Sequence, residues 1–458
     1  MSDKVRSSSR SSRSSYEEAN PPGTDPSSTS SSVAGDDYPA LSFPGYAEKP
    51  LDEQLEPIAV VGMGCRLPGD VSSASEFWNL MMDKGSGNTP KVPISRFNID
   101  AHIHKNNDRP GSFGVLGGYF LKGDLADFDP GLFGITPIEA MWMDPQQRKL
   151  LEVVYEALES GGISLEKISG TRTAVFAASF TADWQQMAFK EPSFRHSLAA
   201  TGVDPGIISN RISHVFNLNG PSIMCNTACS SSVYALHNAC NALRNGEAEG
   251  AIVGGVNLII TVDQHMNTAK LGVLSPTSMC HTFDASADGY GRADAVGAVY
   301  LKRLSDAIRG GDPIRGVIRS SATNSNGKVP ATGITHPNRE GQANVIAAAY
   351  KRGGDLDPRL TGYFECHGTG TAVGDPLEVN AVALSMNKNR KSGDEPLLIG
   401  AVKTSIGHSE AASGLSALIK AILIVERGVI PATRGVDKMT PPSALHPINA
   451  PPHNRVAR

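Results

Sequence analysis

No stretch of this 458-residue sequence reaches the roughly 18 consecutive apolar residues that a membrane-crossing helix requires. The longest apolar run, Leu415 to Val425, is interrupted by Ser416 and Lys420 and reads as a buried helix. Nor does one sign of charge dominate: 42 Lys and Arg against 46 Asp and Glu leave a formal net charge of −4, which offers no basic field to a nucleic acid. Paired cysteines are missing as well. The six cysteines, at 65, 225, 229, 240, 280 and 366, form no CxxC spacing and no regular framework, so the expectation is reduced thiols in an intracellular, cytoplasmic protein. Cys225, Cys229 and His237 have no fourth partner at a zinc spacing, and no metal site is expected. The first 55 residues have few large apolar side chains; 13 of the first 32 are Ser. Such a segment does not offset its ordering entropy and is predicted to be a disordered tail, without the apolar core of a secretory signal.

With 40% apolar residues the remainder is ample for a large core. Pro57 to Cys65 is a short apolar strand ending in glycines, the pattern of a strand buried on both faces. Gly62 and Gly64 invite a nucleotide-loop reading, but the third glycine of the dinucleotide fingerprint and an immediate helix are missing. A helix is predicted over 75–82, and Ile138 to Ser160 has helical spacing with a new start at Asp144-Pro145. Thr173 to Ser179 and Ala251 to Thr261 read as buried strands. A second series follows: strands at 314–320, 362–366 and 397–403, and helices at 339–351, 377–386 and 410–426, the last closed by Gly428. Alternating helices and apolar strands predict an α/β protein with largely parallel sheets, built from two related halves. The 410–426 helix is apolar nearly all round, so it is expected between two sheets.

The chemistry centres on Asn226-Thr227-Ala228-Cys229-Ser230-Ser231-Ser232. Strand-like residues precede it and Val233, Leu236, Cys240 and Leu243 follow at helical spacing, so Cys229 falls where a helix begins. Asn226 or Thr227 is placed to cap that helix and Gly246 to close it. Backbone N–H groups and the helix dipole at such a junction favour a thiolate; the alternative is a buried structural cysteine. Two histidines later in the chain favour the reactive reading. His367 lies in the turn Glu365-Cys366-His367-Gly368-Thr369-Gly370-Thr371, and His408 lies five residues after Lys403. Each follows a predicted buried strand, among small neighbours that leave room for a ligand. Asp375, with Glu378 three residues on, is placed to cap a helix and to hold Lys403.

The Cys229 motif, the His367 to Thr371 loop with Gly374-Asp375, and Lys403 through His408 resemble, in order and separation, the three active-site motifs of the β-ketoacyl synthase domain of polyketide synthases, within the thiolase-like superfamily. Met143 to Arg148 resembles the start of a helix in the family's dimer region, and Phe283 to Arg292 its loop near the active site. The wording Phe113-Gly114-Val115-Leu116 and Gly407 to Gly414 is most similar to iterative, highly reducing polyketide synthases of filamentous fungi. The resemblance spans about residues 56 to 436, with an N-terminal half of about 56–308 and a C-terminal half of about 309–436. It implies a thiolase-like αβαβα fold, with Cys229 holding an acyl group and His367 and His408 serving malonyl decarboxylation. Lys403, Asp375, Glu378, Thr369 and Thr371 are implied as supporting residues. No directly bound cofactor is implied: substrates would arrive on the phosphopantetheine of an acyl carrier protein or on coenzyme A, at a homodimer. His408 favours the decarboxylating branch over those with Asn or Cys at the second histidine.

Against the family pattern, Asn226 stands where Asp is usual and Ala295 where Gly is usual. Asp437 to Arg458 carries five prolines and resembles neither strand nor helix. The resemblance therefore predicts a chain short of the family's last strands and of its Gly-Phe-Gly-Gly oxyanion loop, with activity in doubt. Two other readings stay open: an inactive fragment that serves as a dimerisation or interaction module, and a cysteine acyltransferase that does not condense.

Overall fold

The glycine-ended apolar run at the start of the ordered sequence becomes β1 (Ile58–Arg66), with all but its last residue buried. The computed structural model describes residues 55–190, 196–330, 332–391, 393–440 and 454–456. The Ser-rich tail and most of the proline-rich end lie outside these residues. In chain order, β2 (Thr173–Ser179), β3 (Ser222–Cys225), β4 (Gly250–Asn257), β5 (Ala295–Arg303) and β6 (Gly316–Ile318) join β1 in a six-stranded sheet of order β3-β2-β4-β5-β1-β6. β3, β2 and β4 run parallel, whereas the β4–β5, β5–β1 and β1–β6 pairs are antiparallel. The sheet is thus mixed, not largely parallel. Two of the three antiparallel pairs arise from β5, an apolar strand behind a glycine-rich loop that the alternation of helices and strands does not announce, and the third joins β1 to β6.

On one face of this sheet lies α1 (Pro145–Ser160), capped by Asp144, whose carboxylate accepts from the Gln146 N–H at 2.8 Å. Gly62 and Gly64 acquire their reason here. A Cβ on Gly62 would stand 2.0 Å from the Ala157 carbonyl oxygen, and one on Gly64 2.7 Å from that of Val153. The glycines admit a helix against the strand, and the nucleotide-loop reading lapses. Leu150, Leu151, Val154 and Leu158 of α1 pack with Val61, Val175, Ile252 and Ala298 of the sheet. Burial of each such side chain contributes about 1.5–3 kcal/mol.

On the other face lies α2 (Ser231–Arg244). Beyond it, α3 (Arg339–Arg352) precedes the strands β7 (Tyr363–Glu365) and β8 (Leu397–Gly400) of a second, parallel sheet, with α4 (Gly374–Met386) between them. The final helix, α5 (Ser413–Arg427), is entered through a single 3-10 turn at Glu410–Ala412 and closed by Gly428 at φ +65°. Leu415, Ile419 and Leu423 of α5 share a core with Ala235, Ala239 and Leu243 of α2 and with β1, β4 and β5, while Tyr363 of the second sheet packs on that same core. Tyr350 of α3 and Val382 and Met386 of α4 cover Leu397 and Ile399 from the far side. The layers are α1, large sheet, α2 with α5, small sheet, α3 with α4: the αβαβα order that the resemblance implies. The small sheet gains a third strand, β9 (Asn454–Val456), parallel to β8. A strand therefore occurs in the segment expected to hold neither strand nor helix.

Candidate active site

The turn that follows β3 builds the nucleophile's seat. Asn226 does not cap α2; its side chain accepts from the Ala228 N–H at 3.2 Å, and the Thr227 N–H is taken by Ser231 Oγ at 2.8 Å. Ala228 stands at φ +53°, a left-handed conformation that costs a β-carbon residue on the order of 1–2 kcal/mol. The helix starts at Ser231, with Ser230 as its N-cap and no side-chain cap bond, and Asn245, followed by Gly246 at φ +74°, ends it. Cys229 thus sits on the turn, one residue before the cap. Of the six cysteines, all free, it alone is partly exposed. Burial pushes the thiols of Cys65 and Cys280 up to about 12 and of Cys240 up to about 11, and holds Cys366 well above its ordinary value.

The expected thiolate stabilisation is not dominant. Desolvation and then the Glu410 carboxylate raise the Cys229 thiol, outweighing the Lys403 ammonium and its own backbone N–H. At rest Cys229 is a thiol, and attack requires a neighbour to accept its proton. The neighbours are present: the Cys229 sulfur and one nitrogen each from His367 and His408 all lie within 4.8 Å of one another. The two imidazoles meet edge to face, with centroids 5.2 Å apart.

His408 is fixed from every side. Its N–H donates to the Gly291 carbonyl at 2.9 Å, and its own carbonyl accepts from the Ala293 N–H at 2.9 Å. Gly407, at φ +74°, lies where a Cβ would fall 2.4 Å from the Tyr119 ring. The His408 Nδ1 accepts from the Glu410 N–H at 3.1 Å and lies 3.0 Å from Ser413 Oγ. A backbone amide only donates, so the neutral ring carries its proton on Nε2 and presents a hydrogen-bond donor to the site. The same proton occupies the lone-pair position that a metal would need, so the Cys-His-His group is arranged to donate to an anion. Burial, and then the neighbouring His367, Lys403 and Arg292, hold His408 well below its ordinary pKa.

His367, two residues after β7, lies in the turn that runs on to Thr371 and keeps contact with solvent. Surrounding protein, then Lys403, push its pKa down, a shift that the water contact tempers. Glu378 of α4 holds this turn: its carboxylate accepts from the N–H groups of His367 at 2.5 Å and Gly368 at 2.8 Å. Asp375 is neither a helix cap nor a direct partner of Lys403. It lies in the first turn of α4, where it accepts from the N–H groups of Gly370 and Phe283, each at 3.0 Å, and so ties the His367 turn to the 283–292 loop. Desolvation lifts Asp375 to about 6 and Glu378 to about 7. Thr369 and Thr371 bond each other at 3.2 Å, and Thr371 accepts from the Gly374 N–H at 3.1 Å. Lys403, 2% exposed, acts as a buried positive centre whose charge reaches Cys229, both histidines, Asp375, Glu378 and Glu410.

Sequence reading assigned no role to Glu410, Arg292, Tyr290 or Ser413. Glu410 is buried at φ +43°, paired with Arg292 at 3.3 Å, and stands 4.0 Å from His408 Nε2; Tyr290 packs its ring 4.7 Å from that of His408. A carboxylate among the small, buried residues ahead of an apolar helix was the available signal.

The model of the β-ketoacyl synthase N-terminal domain matches residues 55–307, and that of the C-terminal domain residues 315–437. The chain belongs to the β-ketoacyl synthase family. This β-ketoacyl synthase chain is 74% identical over 394 residues to the reducing polyketide synthase DEP5 of Fusarium langsethiae, and 52% identical over 421 residues to the highly reducing polyketide synthase 19 of Pyricularia oryzae. The alignments cover 86% and 92% of the chain but 17% and 16% of those relatives, so the chain spans about a sixth of their length. Among solved structures it resembles the oxazolomycin ketosynthase domain OzmH KS7 of Streptomyces albus JA3453, with a TM-score of 0.81 and 34% identity over 88% of this chain and 70% of that one. The ketosynthase from module 6 of the bacillaene synthase of Bacillus subtilis 168 matches with a TM-score of 0.75 at 32% identity, over 84% of this chain and 64% of that one. Among the described residues of the synthase chain, no helix is long and apolar enough to cross a membrane.

Proposed function

We propose that this chain catalyses the decarboxylative condensation of an acyl thioester with a malonyl thioester in polyketide assembly. The observation that carries the reading is one thiol within 4.8 Å of two imidazole nitrogens, with one imidazole locked as an Nε2–H donor by the Glu410 amide. The Cys229 sulfur attacks the acyl carbonyl; its proton passes through a neutral imidazole to the departing carrier thiolate, leaving acyl-Cys229. Malonyl thioester then binds, its carbon–carboxylate bond breaks, and carbon dioxide leaves. The freed electron pair forms an enolate whose oxygen accepts hydrogen bonds from His408 and His367. The enolate carbon attacks the acyl-Cys229 carbonyl, the carbon–sulfur bond breaks, and the released Cys229 thiolate takes up one proton from water.

The substrates are proposed to arrive on the phosphopantetheine of an acyl carrier protein or on coenzyme A, in the cytoplasm, where six free thiols are stable. A homodimer is proposed through β3: it ends the large sheet with one edge unpaired among the described residues, four residues from Cys229, and Ile223 on it is 47% exposed. Thiol mapping tests the site. Incubation with a short acyl thioester, followed by mass spectrometry, is expected to place the acyl group on Cys229; acylation at another cysteine, or none, contradicts the reading.

A further inference from the structure

Beneath the site lies a buried ionic cluster that the condensation chemistry does not use. The Glu365 carboxylate, on the last residue of β7, receives Lys420 Nζ of α5 at 2.7 Å and also the Tyr363 hydroxyl on one oxygen. Its other oxygen accepts the Val402 N–H at 2.7 Å. The Lys420 and Glu365 side chains are 3% and 8% exposed, and the Lys420 ammonium stands 5.3 Å over the Tyr363 ring. Position gives the cluster its meaning. Glu365 is two residues before His367, Val402 is one before Lys403, and Lys420 rises from the helix entered five residues after His408.

The ladder of the small sheet ends at this point. Gly400 is the register partner of Glu365, and the Gly400 carbonyl accepts from the Cys366 N–H at 2.8 Å. Past Gly400 the two chains diverge, one towards His367 and the other towards Lys403. The Glu365 carboxylate takes the place of a ladder acceptor for Val402, so that two chains already separating stay in fixed register. Lys420 supplies the charge that makes a buried carboxylate tolerable there, because an unpaired buried ion loses hydration that nothing returns. Tyr363 orients the same oxygen and stacks beneath the ammonium.

We propose that Glu365 is a positioning residue that, with Lys420, holds the His367 turn and the Lys403–His408 segment in one geometry. Neither touches substrate; both act through the loops they join. The inference deepens the condensation reading and rests on it only for its kinetic consequence. Two full-chain variants are used, Glu365→Gln, which keeps the shape and removes the charge, and Glu365→Gln with Lys420→Met, which removes both buried charges and guards against a fold lost to an unpaired ammonium. In hydrogen exchange, segments 366–371 and 401–408 are expected to lose protection together in both variants while β1 to β5 keep theirs. Loss confined to Val402, or spread evenly through the chain, overturns the proposal.

Kinetically, malonyl decarboxylation is expected to fall roughly 10- to 100-fold, the scale of an ångström of misplacement, while acylation of Cys229 falls by less than about a third of that factor. A merely structural role lowers both rates by the same factor, through the folded fraction, and that result also overturns it. If the unsubstituted chain fails to acylate Cys229, the condensation reading falls, and the exchange experiment still decides whether Glu365 couples the two loops.

Discussion

At the scale of single residues, the site depends on two imidazoles that stay neutral. His408 is buried beside Lys403 and Arg292, and its pKa lies well below the ordinary value. An ordinary imidazole gains its proton as pH falls through about 6.5; a depressed one stays neutral until lower pH. The His408 ring is therefore expected to keep its neutral NMR shift as pH falls through that value, and a titration midpoint near it contradicts the assignment; activity is a poorer readout, because Glu378 at about 7 and Asp375 at about 6 titrate in the same range. The stability sign follows from the same shift. Between the unfolded value and the lower folded value only the unfolded chain binds the proton, so stability is full above the ordinary imidazole range and declines as pH falls below it. Most of these residues were legible before the structure, because Cys229, His367, His408 and Lys403 sit in small-residue loops behind apolar strands. Their wiring was not. Asn226 makes a local turn instead of a cap, Asp375 binds backbone instead of Lys403, and burial, then Glu410, raises the thiol that the helix start was expected to lower. Asp375 with Phe283 and Glu410 with Cys229 involve partners distant in sequence, which local spacing does not encode, whereas the Asn226 turn onto Ala228 is local.

Among elements, close backbone approach decides more than propensity. β1 carries glycines because the backbone of α1 presses on it, and Gly255 of β4 would place a Cβ 3.2 Å from Ala412 and 3.3 Å from Ser232, beside the site. Gly62→Ala puts a methyl group 2.0 Å from the Ala157 oxygen. That oxygen belongs to helical backbone and yields only if α1 shifts, so a loss of about 1–3 kcal/mol is expected, the usual scale for overpacking a core. Urea unfolding measures it, and an unchanged midpoint contradicts the packing described. The same elements show what sequence conveys of a fold. β2, from Thr173 to Ser179, has the predicted bounds, and α3 and α5 lie within a few residues of theirs, since uninterrupted apolar or periodic runs announce themselves. β5 was missed, and with it two of the three antiparallel pairs; the third joins β1 and β6, whose strands were expected but whose direction is set by a long-range pairing choice.

At the scale of the whole molecule, the proposed homodimer places the edge of β3, unpaired among the described residues, at its interface. Ile223→Lys places a charge on that edge; a dimeric chain is expected to become monomeric, as measured by analytical ultracentrifugation, while an unchanged dimer moves the interface elsewhere. The layers then serve one purpose. The large sheet and α2 deliver Cys229, the small sheet delivers His367 and Lys403, and α5 between them carries the segment of His408 into the same few ångströms. The most direct measurement of that claim supplies the chain with an unlabelled acyl thioester and a malonyl thioester carrying carbon-13 at its methylene and thioester carbons, and follows carbon dioxide and product by mass spectrometry. A β-ketoacyl product longer by the two labelled carbons is predicted, with one carbon dioxide released for each, and no lengthened product with Cys229→Ala. Acylation of Cys229 without a lengthened product would contradict it.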